Sequence, residues 1–214
     1  QNYGVILNPI GSATRSFSFT ASDFVCGTIF PITLQLQDGA TDYGTITYNI
    51  PTGTLVPHSY SSGNIATPIP DNNITGVDIP IIVTDVFTLT DVNAKIRINH
   101  TFDGDLEISL IHPDNTSVML VNRRGSAGDN FGTGANDCSG TPTIFDSQAA
   151  TAITVGAAPF AGTFSPEVSL GAFNGKPSTG TWILRVKDRA SLDVGTVGCF
   201  QLELSETQCC AAIL

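Results

Sequence analysis

The residues of this chain best suited to chemistry are aspartates placed in turns and loops between predicted strands. One pair flanks a glycine, in the order Asp103, Gly104 and Asp105, directly before an alternating apolar run. Calcium takes about six to eight oxygen ligands from carboxylates, amides and backbone carbonyls of flexible loops. Seven loop residues could supply such oxygens: Asp71, Asp103, Asp105, Asp129, Asn130, Asp137 and Asp146.

We expect Asp103, Asp105 and Asp146 to hold a calcium ion, with Asp129 as a fourth candidate ligand. Gly104 favours a tight turn that would present both neighbouring carboxylates outward. The sequence contains no EF-hand loop, so the ligands would have to come from several segments. In the alternative interpretation each aspartate caps a turn by accepting a hydrogen bond from a backbone N–H, and the sequence favours neither.

Catalytic residues are harder to find. A serine protease needs a nucleophile, a histidine base and an orienting carboxylate, and the histidines here are His58, His100 and His112. His100 ends a predicted strand, where we expect a structural hydrogen bond. No Gly-x-Ser-x-Gly elbow, His-Glu-x-x-His pair or phosphate-binding glycine loop occurs. We therefore expect no independent enzyme, although a pair of glycosidase carboxylates stays open because the separations between the aspartates are unknown.

The composition is that of an extracellular β protein. Of the 214 residues, 41% are hydrophobic and only 13% are charged, and Thr, Ser, Asn and Gly fill the polar positions. A net charge of −10 argues against nucleic acid as a partner, because phosphate binding requires a basic face. No window reaches the ~20 apolar residues of a membrane span. We expect a secreted or cell-surface protein whose signal peptide is removed or lies upstream.

The five cysteines also indicate an oxidising compartment. Their spacing matches no zinc site, so we expect disulfides. Cys138 and the adjacent Cys209 and Cys210 are the favoured partners, and the odd number leaves one cysteine free or paired with another segment. The connectivity itself is left open.

Short alternating or apolar runs dominate the chain, separated by Gly, Pro, Asn and Asp. They predict strands at 15–20, 31–37, 44–50, 79–83, 93–99, 106–111, 117–122, 152–155, 182–186 and 199–204. The one helical prediction is a single turn at 146–150, with Asp146 as N-cap. So many short strands predict an all-β fold, a jelly-roll β-sandwich with a small N-terminal β segment.

A stretch rich in Ser, Gly and Pro at 59–70 predicts a domain boundary near residues 66–70. We expect residues 1–66 to form a partial Ig-like β segment with a linker. The main sandwich would then span 67–206, followed by a C-terminal tail at 207–214. About three strands before the boundary are too few to bury a core alone.

From residue 69 to about 206, ordered blocks resemble the P domain, or Homo B domain, of the proprotein convertase family. The block His-Thr-Phe-Asp-Gly-Asp-Leu at 100–106 is similar to the family's His-Thr-aromatic-x-Gly-Asp-Leu signature. Similar blocks follow: Pro-Asp-Asn-Thr at 113–116, Gly-Asp-Asn-Phe at 128–131, Thr-Ile-Phe-Asp at 143–146, Gly-Thr-Phe at 162–164, Gly-Thr-Trp at 180–182 and Gly-Thr-Val at 195–197. The chain departs from the family in having Cys199-Phe200 where Trp is common, and in an inserted loop at 132–142.

This resemblance implies a non-catalytic sandwich that stabilises an adjoining subtilisin-like serine endopeptidase or another secreted protease. Its partner would be the catalytic domain of a protease in the same polypeptide, or another extracellular protein. The alternative is an extracellular adhesion or recognition module that binds a protein or a glycan, which the Ig-like appearance of residues 1–66 favours. A catalytic domain upstream in the full gene would distinguish the two.

Overall fold

The computed structural model of the chain describes residues 2, 4, 12–16 and 25–209. Strands dominate this part, and its helical structure consists of three short 3-10 segments at Asp103–Asp105, Ile153–Val155 and Leu170–Phe173. The strands are β1 Ile29–Asp38, β2 Thr41–Pro51, β3 Gly53–Ser61, β4 Thr67–Ile69, β5 Val77–Val83, β6 Asp91–His100, β7 Leu106–Ile111, β8 Ser117–Asn122, β9 Thr143–Phe145, β10 Gly162–Phe164, β11 Gly180–Asp188 and β12 Gly195–Cys209. The all-β prediction is confirmed.

The chain divides into two compact units. Gln1–Thr54 with Gln208–Leu214 form one, and Leu55–Thr207 form the other. In the first unit β1 and β2 pair in antiparallel fashion, and they include the strands predicted at 31–37 and 44–50. Most of the strand predicted at 15–20 lies outside the described residues.

The second unit contains two sheets that share one hydrophobic core. The larger sheet has the order β10-β9-β6-β12-β3, with β4 also pairing β12, and the smaller one has the order β5-β11-β7-β8. Alternate residues of each strand point inward, so Ile96 of β6, Ile108 of β7 and Leu184 of β11 are all fully buried. This two-layered arrangement is an open sandwich.

Trp182 lies in this core. Its side chain is fully buried, and its indole N–H donates to the Ser178 carbonyl at 2.9 Å. The Phe173 ring meets the indole edge-on, with 5.2 Å between ring centroids. Phe200 of β12 is also fully buried and belongs to the same core.

Three local predictions differ from the structure. The strand predicted at 152–155 is instead a 3-10 segment, because only Ile153 in Ile153–Val155 is buried and no alternating face exists to pair. The segment 146–150 forms a hydrogen-bonded turn rather than helix, since Asp146 Oδ1 accepts from the Gln148 N–H at 2.7 Å. The strand predictions also omitted β3, β4, β9 and β10, of which β3 takes an edge position beside β12.

The predicted boundary at 66–70 also differs from the division of contacts. The second unit begins at Leu55 because β3 belongs to the larger sheet of the sandwich. At the expected boundary, Ile69 is buried in the core and pairs with Gly195 through β4 and β12. Where a separately folding domain begins stays a prediction.

Two disulfides lie among the described residues. Cys26 bonds to Cys209, and Cys138 bonds to Cys199. The favoured pairing of Cys138 with Cys209 or Cys210 is therefore wrong, because the inserted loop folds over β12 and brings Cys138 to Cys199. Cys210 lies outside the described residues.

Helices of the length and hydrophobicity needed to cross a bilayer are absent from the described part of the chain.

Candidate functional site

The turn that carries Asp103 and Asp105 faces the interior. These residues are 0% and 6% exposed, so the expectation that Gly104 presents their carboxylates outward is wrong. The reason is a loop that crosses the turn: the Gly104 N–H donates to the Ser126 carbonyl at 2.9 Å. A Cβ atom on Gly104 would lie 2.9 Å from that same oxygen, so glycine permits the close approach.

Asp103 is the most unusual acid of this turn. Neither carboxylate oxygen has a hydrogen-bond partner among the described residues. The pKa of Asp103 is raised to about 8, mainly by burial; the nearby Asn130 backbone opposes this shift and the charge of Asp129 adds to it. A carboxyl group in this setting is either protonated near neutral pH or in need of a nearby cation.

Asp105 has a different environment. Burial raises its pKa, and the negative charges of Asp188 and Asp193 act in the same direction. Arg123 opposes them, with its Nη2 atom 3.8 Å from Asp105 Oδ1. Asp105 is thus opposed by the positive charge of Arg123, whereas the charge that acts on Asp103 is that of a second acid, Asp129.

The structure separates the remaining candidates. Asp146 caps the turn described above, Asp137 Oδ1 accepts from the Ser139 N–H at 2.7 Å, and Asp71 Oδ2 accepts from the Leu192 N–H at 3.3 Å. These three support the capping interpretation. The described residues contain no group of three or more His, Cys, Asp or Glu side chains arranged to hold a metal. Of the remaining candidates, Asp129 acts on Asp103 through its negative charge.

All three histidines make structural contacts. His100 Nε2 lies 3.2 Å from Asp188 Oδ2, and both side chains are fully buried, which confirms the expected structural hydrogen bond. His112 is buried against Trp182, and its Nε2 lies 2.9 Å from the Pro177 carbonyl oxygen. His58 stacks on Phe87, with 4.4 Å between ring centroids.

Sequence reasoning missed Arg97, which organises the inserted loop. The residue is only 2% exposed, and its guanidinium donates to the backbone carbonyls of Phe131 at 2.5 Å, Ala135 at 3.0 Å and Gly134 at 3.1 Å. Burial lowers its pKa, which Asp137 partly restores. In sequence Arg97 occupies an outward position of an alternating strand, like an ordinary solvated side chain.

One signal could have revealed this arrangement. The loop contains Gly132 and Gly140, and a Cβ on either would lie 2.8 Å from an Arg97 nitrogen. Glycines clustered in a loop indicate close backbone approach. The loop borders a cavity of about 470 Å³, whose lining includes Asn99, Asp129 and Gly134.

Comparison with known proteins agrees with this architecture. The family model described as the proprotein convertase P-domain matches residues 89–204, more than half of the chain. The chain belongs to the proprotein convertase P-domain family. Within this P-domain the matched region runs from just before β6 to the later part of β12, and so contains most of the sandwich.

Two curated relatives carry the names of enzymes. The P-domain chain is 31% identical over 153 residues to leupeptin-inactivating enzyme 1 of Streptomyces exfoliatus, covering 70% of this chain and 27% of the relative. It is 25% identical over 136 residues to the calcium-dependent protease of Trichormus variabilis, covering 64% of this chain and 17% of the relative. The chain thus spans about a quarter or less of these relatives.

Solved structures show a fainter likeness. The serine protease of Aeromonas sobria matches with a TM-score of 0.47 and 16% identity, over 73% of this chain and 28% of the other. The same protease in complex with the chaperone ORF2 matches with a TM-score of 0.49 and 17% identity, over 74% and 28%.

Proposed function

We propose that this P-domain is a non-catalytic accessory domain that stabilises a secreted peptidase carried on the same polypeptide, in the form of a subtilisin-like serine endopeptidase or another secreted protease. The observation that carries the proposal is the family match over residues 89–204. Relatives named as a leupeptin-inactivating enzyme and a calcium-dependent protease support it, since each is several times longer than the region matched.

The histidines support a role without catalysis. His100 and His112 have fully buried side chains, so a substrate would not reach them without local unfolding. The side-chain hydrogen bonds of the three histidines go to carboxylates and backbone groups, and none goes to a serine, threonine or cysteine hydroxyl or thiol in the part of the chain described. A nucleophile activated by histidine is thus unsupported.

An accessory domain of this kind acts through contact. A folded neighbour on the same polypeptide meets the catalytic domain at a high effective concentration, because the linker keeps the two together. Surface buried against the native catalytic domain stabilises that state relative to its unfolded form. The domain would extend over residues 67–206, with the boundaries predicted from sequence.

The disulfides support an extracellular location. Cys26–Cys209 and Cys138–Cys199 are bonds of the kind that form and persist in an oxidising compartment. The composition, poor in charged residues and rich in Thr, Ser and Gly, agrees with secretion or attachment at the cell surface.

Calcium belongs to the proposed function as a stabilising cofactor. A relative is named a calcium-dependent protease, and Asp103 is a buried carboxyl group whose oxygens are unpaired among the described residues. Bound calcium would supply a fixed positive charge between acidic side chains. The candidate ligands taken from the sequence are Asp103, Asp105, Asp146 and Asp129.

The proposal is tested in the full polypeptide that carries this chain. Peptidase activity and its rate of loss on heating are measured for the intact protein, for a deletion of residues 67–206 and for the P-domain chain alone. We expect the intact protein to be active, the deletion to lose activity several-fold faster, and the isolated chain to hydrolyse no peptide.

A matched pair of point variants tests whether the peptidase depends on the stability of the P-domain and not only on its presence in the polypeptide. Arg97→Met removes a buried guanidinium, whereas Lys95→Met removes a partly exposed ammonium from the same face of β6. The first should accelerate heat inactivation of the peptidase and the second should not. Peptide hydrolysis by the isolated chain, or a deletion variant as durable as the intact protein, would contradict the proposal. Glycan or protein binding by a polypeptide without peptidase activity would favour the adhesion alternative.

A further inference from the structure

The outer face of the smaller sheet differs in chemistry from the outer face of the larger one. In an antiparallel sandwich, the face of a sheet that points away from the core normally carries polar side chains. The neighbouring outward positions of β6 and β12 follow this rule, with Asn93, Lys95, Gln201 and Glu203. The outward positions of the smaller sheet instead include five apolar residues: Pro80, Ile82, Ile111, Met119 and Ile183.

The strand register joins these five side chains into a continuous apolar band. Ile183 of β11 lies directly opposite Pro80 of β5 and Ile111 of β7. Ile82 follows Pro80 on the same face of β5 and is 72% exposed. Met119 of β8 extends the band to the edge of the sheet, since its partner on β7 also points outward. A continuous apolar patch on an otherwise polar surface marks a site of protein contact.

Cationic side chains border the apolar band on the same face. Lys187 and Arg189 share one carboxylate, because the Lys187 Nζ and Arg189 Nη1 atoms lie 3.9 and 2.7 Å from the oxygens of Glu107. Arg123 meets Asp105 only at the longer distance of 3.8 Å. The whole chain has a net charge of −10. This border is therefore a place where an acidic surface can approach the chain with favourable electrostatics.

The size of the apolar band indicates what kind of partner it suits. Stable complexes of separate proteins bury about 800 Å² on each partner, with about 20–30 residues a side. Contacts between domains of one chain cover roughly 600–1,500 Å² and are more polar. They can be smaller because the linker keeps the partner at a high effective concentration. A band of five apolar side chains with a charged border fits a contact between tethered domains.

We propose that the outer face of the smaller sheet is the surface on which the catalytic domain of the peptidase docks. The catalytic domain would contribute an apolar patch bordered by acidic side chains, which would complete the partial ion pairs of Lys187, Arg189 and Arg123. This inference rests on the proposed function, since it names the surface through which the accessory domain acts. The polar outer face of the larger sheet is then left in solvent.

Two lysines provide an internal test in the intact polypeptide. The Lys187 side chain borders the apolar band and is 25% exposed, whereas the Lys95 side chain lies on the outer face of the larger sheet and is 30% exposed. Labelling with an amine-reactive ester is followed by mass spectrometry, and each rate is divided by the rate for the same lysine after unfolding in urea. We expect Lys187 to react several-fold more slowly than Lys95. Equal rates would overturn the proposal.

A matched pair of variants tests whether the apolar band causes this protection. Ile82→Glu introduces a charge into the band, and Val155→Glu introduces the same charge at a residue of another segment that is 76% exposed. Because both positions are open to solvent, neither substitution should disturb the fold of the sandwich. We expect Ile82→Glu to bring the labelling rate of Lys187 close to that of Lys95 and to accelerate heat inactivation of the peptidase several-fold. Val155→Glu should change neither, and identical behaviour of the two variants would contradict the proposal.

Two further outcomes separate this inference from its alternatives. Protection of Lys187 that disappears on dilution, together with a dimer in sedimentation, would assign the face to a second copy of the chain and overturn docking of the catalytic domain. If deletion of residues 67–206 destabilises the peptidase while Lys187 reacts as fast as Lys95, the accessory role stands and this face is wrong. If the deletion has no effect while Lys187 stays protected, the docking face stands and the stabilising role is wrong.

Discussion

Replacing Arg97 with methionine should destabilise the P-domain far more than the equivalent change at Lys95. Both residues point to the same face of β6, yet only Arg97 is covered by the inserted loop and fully buried. Lys95 forms an ion pair with Glu203 at 3.0 Å, and about 30% of each of these side chains is exposed. The two substitutions therefore each replace a cationic side chain with methionine, at a buried position for Arg97 and at a partly exposed one for Lys95.

The expected magnitude follows from the acceptors that Arg97 leaves behind. The buried Phe131 carbonyl loses a charged donor at 2.5 Å and keeps the longer bond from the Ile98 N–H at 3.2 Å. Gly134 and Ala135 are exposed, so water can replace the guanidinium at their carbonyls. Since a hydrogen bond to a charged group contributes about 1.5–3 kcal/mol, we expect Arg97→Met to lower the free energy of unfolding by about 3 kcal/mol. Lys95→Met should cost at most about 1 kcal/mol.

Thermal melts of the two variants under non-reducing conditions give the comparison. For a chain of this size about 3 kcal/mol corresponds to a fall in midpoint of roughly 6–12 °C. Hydrogen exchange gives a local readout, because the amides of Thr133 and Thr141 bond across the loop at 2.8 and 2.9 Å and should exchange faster in Arg97→Met. Midpoints within about 2 °C of each other for the two variants would refute the reasoning.

Two further predictions concern the cross-links of the sandwich. Replacing Cys138 and Cys199 together by alanine should lower the free energy of unfolding by about 2–4 kcal/mol, because the bond joins residues 61 apart; urea midpoints equal to those of the natural chain would contradict this. Glu167→Gln should cost at most about 1 kcal/mol at neutral pH, because Arg124 donates to the carboxylate from Nε and Nη2. These bonds hold the pKa of Glu167 below its ordinary value of 4.5. The ion pair therefore stabilises the fold above pH 4.5, and this stabilisation is lost as the pH falls through the lower folded pKa. The difference in urea midpoint between the natural chain and Glu167→Gln should vanish in acid. A difference that grows in acid would be evidence against the ion pair.

Predictions that depended on local pattern succeeded. Alternating apolar residues located β5, β6, β7, β8 and β11, because one face of each strand must be buried against the core. The turn at 113–116 joins β7 and β8 as a hairpin, with Asn115 in the left-handed region at φ 70°. The blocks similar to the P-domain family lie largely within or beside these same strands.

Predictions about the acidic turn could not succeed in the same way. The pair at Asp103 and Asp105 stands out in the sequence, but its expected outward direction was wrong because the loop 123–130 crosses the turn. Strand β3 escaped prediction because its apolar residues are few and its place depends on pairing with β12. The partner of Cys138 was decided by the course of the inserted loop.

The amino-acid sequence by itself determined the fold class, most of the strands and the identity of the core. The reason is that apolar residues alternate along each strand, so one face of the strand must be buried. The tertiary structure decided which polar residues are enclosed, since enclosure depends on loops distant in sequence. Lys95 and Arg97 are equivalent in the strand pattern, and only the loop over Arg97 makes one buried and leaves the other partly exposed. Asp103 lost its contact with water for the same reason.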